Sequence, residues 1–192
     1  DVVNIIGFVD NFRGTAQLRV LNKNDVTLYT GEFDPIDDSE ITAGMTSLKD
    51  AQILAENTIA TLIGSVAYKF AGNSVLIQDT IDGEIYGFQL YDFPKFDQYE
   101  IGDIVKVTGT VAPYNGVPQL NPVSSLEVVR SDQPYEPQVL TIEELLEGKD
   151  NYLSEYVKIE SVVLGTYSSG RDTPITDAGG KTINIYRGAE FP

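Results

Sequence analysis

The chain has 192 residues, with 13 Lys and Arg against 29 Asp and Glu, a net charge of −16, and neither His nor Cys. These numbers exclude disulfides, thiolate nucleophiles, Cys-ligated zinc and any Ser–His–Asp triad. A field this acidic repels phosphate backbones and anionic membranes, which disfavours nucleic acid as a partner, and it serves solubility in an exposed setting.

No hydrophobic run approaches membrane-spanning length, no signal peptide is evident, and a start at Asp1 without Met is what a processed chain or a fragment gives. Residues 1–30 read as a hairpin. Val3, Ile5, Gly7 and Val9 alternate on one face, and Gly14 marks the turn before Gln17-Leu18. The opposite face carries Ile6 and Phe8, and an apolar outer face needs cover. Residues 31–45 are acidic, with Pro and Gly, and read as a linker. Asp34, Asp37, Asp38 and Glu40 within it have the chemistry to ligate calcium but lack the fixed spacing of an EF-hand loop, so a solvated linker is the favoured reading.

Residues 46–130 read as one complete domain. Ser47 to Asp50 is a capping-box-like start to a short helix reaching about Glu56. Strands are expected at about Ile59–Phe70, Ser74–Gln78 and Glu84–Tyr91, the last after a turn at Asp82-Gly83. From Asp103 to Val129, Val105, Val107, Gly109 and Val111 alternate with polar residues. Asn115-Gly116 then reverses the chain into a strand bearing Gln119-Leu120. A short helix followed by five hairpin-connected strands suits a small closed barrel, with a core of Leu62, Val66, Ile77, Val105, Val107, Val111 and Leu120.

A second linker, 131–138, carries Pro134 and Pro137, and over 139–192 the unit begins again. Thr141 to Glu144 is another capping box, and the strand Tyr156–Leu164 sets Ile159, Ser161 and Val163 where Leu62, Gly64 and Val66 stand, 97 residues earlier. Ile175 and Asp177 match Ile77 and Asp79 at 98, Ile185-Tyr186 match Ile85-Tyr86 at 100, and Phe191-Pro192 match Phe93-Pro94 at 98. At the other end, Gly7, Gly14, Gln17 and Leu18 match Gly109, Gly116, Gln119 and Leu120 at a constant 102. The two ends therefore supply the two halves of one repeat unit, split at the loop equivalent to 95–102.

Three stretches resemble the OB-fold domains of bacterial secreted and cell-surface proteins, the type found in tandem, in surface lipoproteins and beside extracellular nucleases. They are Ile77-Gln78-Asp79, Gly102-Asp103 through Gly109, and Tyr114-Asn115-Gly116 with Gln119-Leu120. The resemblance implies an all-β chain of OB-fold-like five-stranded barrels with short helices, one complete and one split between the chain ends, in an extracellular or cell-surface setting.

The residues offer little chemistry. Without His, acid–base catalysis would need a tuned carboxylate, and no S-x-x-K pair stands at a strand-to-helix turn. Asp79 and Asp177 recur at equivalent positions, which a strand-end Asp capping a turn explains. The expectation is a non-enzymatic protein with no catalytic residue, cofactor or metal. OB barrels bind oligonucleotides or oligosaccharides on the face of strands 2 and 3. Here that face would present Tyr86, Phe88 and Tyr91, with Tyr114 from the hairpin loop; the competing and favoured reading of most of these aromatics is core or inter-domain packing. Nearby cations are few (Lys69, Lys95 and Lys106), so a glycan or protein ligand fits better than single-stranded nucleic acid. The leading expectation is self-association. Val3, Ile5 and Val9 of one copy would complete the barrel of Ile159, Val163 and Ile175 in another, head to tail, building a filament. Closure within one chain is the alternative. A ligand-binding accessory module of a secreted enzyme or surface system is the other function in view.

Overall fold

The computed structural model describes residues 2–19, 43–70, 74–91, 99–131, 137–167 and 170–186, without the side chains of 2–6, 8 and 12. The acidic run at 34–40, the outer-face side chains of Ile6 and Phe8, Lys95, Pro134 and the Phe93-Pro94 and Phe191-Pro192 match lie outside what is described. The chain divides into two compact units. Unit 2 spans Tyr29–Glu136, and unit 1 combines Asp1–Leu28 with Pro137–Pro192.

Unit 2 is an OB-like closed barrel. Its strands are β3 (Ile59–Lys69), β4 (Val75–Ile81), β5 (Glu84–Leu90), β6 (Ile104–Val111) and β7 (Gln119–Arg130), closed in the order β3-β4-β5-β7-β6. Every neighbouring pair is antiparallel except β5 and β7, which meet in parallel at Gln89↔Gln119 and Leu90↔Leu120. All seven expected core residues are buried in one cluster with Val75, Phe88 and Leu90. Helix α1 (Leu48–Ala51) adds Leu48 and Ala51 to that cluster. It is shorter than its sequence suggests and starts where the side chain of Ser47 accepts from the Asp50 amide at 3.0 Å.

Unit 1 repeats the plan across the chain ends. β1 (Val2–Phe12) and β2 (Thr15–Arg19) come from the N-terminal side. The C-terminal side supplies β8 (Gln138–Val139), α2 (Ile142–Glu147), β9 (Tyr156–Leu164), β10 (Thr173–Thr176) and β11 (Thr182–Ile185). The sheet runs β1-β2-β11-β10-β9-β8, and β1 also pairs with β9. The ring β9-β10-β11-β2-β1 thus matches β3-β4-β5-β7-β6 strand for strand, down to the parallel seam at Ile185↔Leu18. The split barrel is closed here within one chain, through Ile5↔Ile159 and Gly7↔Val157 among others, and not by the head-to-tail pairing expected between copies.

Local details repeat as well. Asn57 and Ser154 both hold positive φ (69° and 64°) just before the first barrel strand. There the Asn57 amide donates to the Val111 carbonyl at 2.8 Å and the Ser154 amide to the Val9 carbonyl at 3.1 Å. The Arg13-Gly14 turn (φ 54° and 83°) and the Asn115-Gly116 turn (φ 53° and 84°) share one conformation, the two-residue hairpin turn with positive φ at both central positions. In α2 the capping box is complete: the Thr141 hydroxyl accepts from the Glu144 amide, and the Glu144 carboxylate accepts from the Thr141 amide at 2.8 Å. That backbone hydrogen bond, then the one from the Thr141 hydroxyl, holds the Glu144 carboxyl below the ordinary 4.5. Each helix is tied to the strand 2–3 turn of its own barrel, with opposite polarity: Lys49 to Asp82 at 2.8 Å, and Glu143 to Lys181 at 3.0 Å.

Two expectations of register are corrected. Ser161 sits at φ 56° where the β1–β9 register shifts, a one-residue bulge. Beyond it, Val162 pairs with Val3 and is fully buried, and Val163 is 53% exposed instead of facing the core. Val9, Ile159 and Ile175 are in the core as expected. Val3 and Ile5 are placed in β1 by their backbone pairing alone. Second, the Tyr186 amide donates to the Leu18 carbonyl at 3.1 Å as the Tyr91 amide does to the Leu120 carbonyl at 3.0 Å. Ile185-Tyr186 therefore correspond to Leu90-Tyr91 and not to Ile85-Tyr86, because the β10–β11 hairpin is shorter than β4–β5.

The two matched glycines are where the neighbouring strand folds across. A Cβ on Gly109 would lie 2.9 Å from the Pro122 carbonyl oxygen, and one on Gly7 would lie 2.5 Å from the Arg19 carbonyl oxygen. Both contacts are with backbone, so the strands must separate to admit a side chain. Gly109→Val is expected to destabilise unit 2, and Gly7→Val unit 1, each by about 1–3 kcal/mol or more. Thermal unfolding checks this, and an unchanged melting curve for either variant removes its close-approach assignment.

Candidate ligand-binding face

In β4 and β5 the alternation sorts the expected aromatics into two sets. Val75 and Ile77 point into the barrel opposite Leu90 and Phe88, and all four are buried in the core. Phe88, at 1% exposure, is a core residue and is not available to a ligand. Tyr86 is on the same inward side and packs against the core cluster. Its hydroxyl donates to Glu84 Oε2 at 2.7 Å, and Lys49 Nζ stands 5.7 Å from its ring centroid. The hydrogen bond to Glu84 raises the phenol above its ordinary value. Tyr86 thus closes the helix end of the barrel and belongs to packing.

The outward side of β3 and β4 is largely covered. Ser65, Tyr68, Leu76 and Gln78 alternate with core residues and are nonetheless buried. What remains open lies toward the parallel seam. There Gln89 and Gln119 are register partners, Gln89 half-buried and Gln119 buried, and Tyr91 follows at 47% exposure. Tyr114, 64% exposed, stands at the Asn115-Gly116 turn, where its amide and carbonyl both bond Val117, at 3.0 and 2.9 Å. The structure therefore keeps Tyr91 and Tyr114 as candidates, removes Tyr86 and Phe88, and adds Gln89, while its seam partner Gln119 is buried. The glutamines were readable: each precedes a core leucine, Leu90 or Leu120, so alternation turns both outward.

Of the cations expected near this face, Lys95 lies outside the described residues and the other two stand near acids. Lys69 Nζ is 3.6 Å from Glu100, and Lys106 is the register partner of Glu127. Among the described residues no group of three acidic side chains is placed to hold a metal ion. Asp177 caps the β10–β11 turn, its carboxylate accepting from the Lys181 amide at 2.8 Å. Asp79 is different: it lies inside β4, buried, and accepts from the Thr80 amide at 2.8 Å. The open surface thus offers two tyrosine rings and the Gln89 carboxamide, groups that stack and hydrogen-bond without bringing charge.

No protein-family model matches the chain, and no curated protein matches it. Solved structures do show likeness. A hypothetical protein of E. coli, YgiW, is 17% identical over 44% of this chain and 89% of its own, with a TM-score of 0.35. Rim1, a mitochondrial single-stranded DNA binding protein of S. cerevisiae, is 15% identical over 41% of this chain and all of its own, also at 0.35. The OB-like assignment rests on strand order and register.

Proposed function

We propose that the chain is a non-enzymatic binding module of an extracellular or cell-surface system, and that unit 2 takes a neutral, hydroxyl-rich ligand such as an oligosaccharide. The observation that carries this reading is the exposure of two tyrosines of the barrel, Tyr91 following half-buried Gln89 at the seam and Tyr114 at the β6–β7 turn. Tyrosine rings pack on the apolar faces of sugars, and carboxamides satisfy hydroxyl donors and acceptors together. A net charge of −16 works against polyanions. Titration calorimetry with neutral pentasaccharides tests it. Tyr91→Ala and Tyr114→Ala are each expected to weaken binding about tenfold, on the order of 1.4 kcal/mol, at unchanged melting temperature. Full affinity in the double variant would refute this face.

A second reading is supported by the connectivity of unit 1. The β1–β2 hairpin is joined to the rest of its barrel only through unit 2. Exchange of that hairpin between copies would preserve every pairing and yield dimers or head-to-tail chains. Light scattering over a hundredfold concentration range decides: growing mass supports exchange, and a constant monomer mass excludes it.

A further inference from the structure

Three turns share one backbone conformation, with positive φ at both central positions: Arg13-Gly14 (54° and 83°), Asp82-Gly83 (56° and 83°) and Asn115-Gly116 (53° and 84°). Their first residues differ in what the side chain can do. Arginine has no carbonyl carbon to attack. The Asp82 carboxylate accepts from Lys49 Nζ at 2.8 Å, and that hydrogen bond, then the charge of Lys49, holds its carboxyl below the ordinary 3.8. It stays an anion and a poor electrophile. Of the three, Asn115 alone presents a neutral carboxamide before a glycine, whose amide nitrogen no side chain shields. Every other asparagine of the sequence is followed by a residue with a side chain, and Asn121 by Pro122, whose nitrogen carries no hydrogen.

The surroundings leave this pair open. Tyr114, Asn115 and Gly116 are exposed, and among the described residues neither the Asn115 side chain nor the Gly116 amide has a hydrogen-bond partner. The Gly14 amide, by contrast, donates to Asn11 Oδ1 at 2.9 Å. Two backbone bonds close the turn, from the Tyr114 amide to the Val117 carbonyl at 3.0 Å and the reverse at 2.9 Å. Pro113 and Pro118 flank them and cannot donate. The next bond across the hairpin runs from the Ala112 amide to the Gln119 carbonyl, at 2.8 Å. A short exposed tip of this kind opens locally at small cost.

We infer that Asn115 is a site of spontaneous modification, which converts to isoaspartate and undoes the turn that holds Tyr114. With the tip open, the Gly116 nitrogen gives its proton to solvent base and attacks Asn115 Cγ. The N–Cγ bond forms, the Cγ–Nδ2 bond breaks, and the amide nitrogen takes a proton from solvent and leaves as ammonia. Water then adds to one carbonyl of the five-membered imide. Opening at Cγ gives aspartate. Opening at the backbone carbonyl gives isoaspartate, whose main chain runs through the side chain and is one methylene longer. Both products carry one more negative charge than asparagine. The longer backbone cannot keep both Tyr114–Val117 bonds, so Tyr114 is released from its place. Loss of that ring from a sugar site rests on the reading of unit 2 given above; the modification itself does not.

The test is to hold the full chain in warm, mildly alkaline buffer and sample it by peptide mapping and by labelling with a protein isoaspartyl methyltransferase. A mass gain of about 1 Da at Asn115, with a methyl group accepted there, is expected before any change at another asparagine. Asn115→Gly keeps a turn-forming residue, removes the carboxamide and is expected to abolish this early phase. Amide exchange reads the turn. Tyr114 and Val117 should lose protection in the isoaspartyl fraction and keep it in Asn115→Asp, which has the charge without the extra methylene. An Asn115 that stays intact while the unstructured peptide APYNGVP reacts would overturn the site. Conversion with both amides still protected would overturn the release of Tyr114. Calorimetry with cellopentaose, maltopentaose and chitopentaose reads the binding face: the isoaspartyl fraction is expected to bind about tenfold more weakly, as Tyr114→Ala does, and Asn115→Asp to bind normally. Unchanged affinity in that fraction, where Tyr114→Ala weakens the native chain, would overturn the effect on the face. If the fresh chain binds none of these sugars, the reading of unit 2 fails, and mass and amide exchange still decide the isoaspartyl site.

Discussion

Everything in unit 1 depends on one antiparallel contact, β1 against β9, made between residues that lie 148 to 161 positions apart in the chain. Without it β9 has an open edge, and the core formed by Val9, Leu18, Ile159, Ile175 and Ile185 has no wall on one side. An unpaired edge over an apolar face invites pairing with whatever strand is available. The chain supplies that strand itself, from its own N-terminal segment, and the barrel closes.

The cost of such a contact is loop closure, which grows only slowly with loop length. Here the intervening chain is also not a free loop, since Tyr29–Glu136 is a folded unit. The pairing is selective because both sides carry the same local devices as the complete barrel. Gly7 admits the crossing strand as Gly109 does, Ser154 turns the chain into β9 as Asn57 turns it into β3, and the Arg13-Gly14 turn repeats Asn115-Gly116. These positions agree at every level from backbone angle to strand order, which is what lets two distant half-sequences specify one fold.

Much of this was legible from residues alone. Val105, Val107 and Val111 alternate cleanly, and Asn115-Gly116 is the strongest short hairpin signal a sequence offers, so the complete barrel and its core could be read directly. Matching glycines then identified the split copy. What failed did so for physical reasons. Whether two complementary halves meet within a chain or between chains is not encoded in periodicity, and it depends on where the linkers let the ends go. The Ser161 bulge could not be foreseen because a serine with positive φ has no local signature, and one extra residue exchanges the faces of every residue beyond it, Val162 for Val163. In the binding face, aromatic identity alone did not separate ligand contact from packing: Phe88 and Tyr86 have the right composition for a ligand, and their parity in the strand assigns them to packing.

The closure of unit 1 within a single chain is the claim on which the rest depends, and the absence of cysteine makes it directly measurable. Val2 and Val163 are register partners across β1 and β9, at a separation that antiparallel neighbours bring within reach of a disulfide. In Val2→Cys with Val163→Cys, oxidation at low protein concentration should give a cross-linked monomer that migrates faster on a denaturing gel, and no dimer. Disulfide-linked dimers and longer ladders in place of that monomer, or no cross-link at all, would contradict it.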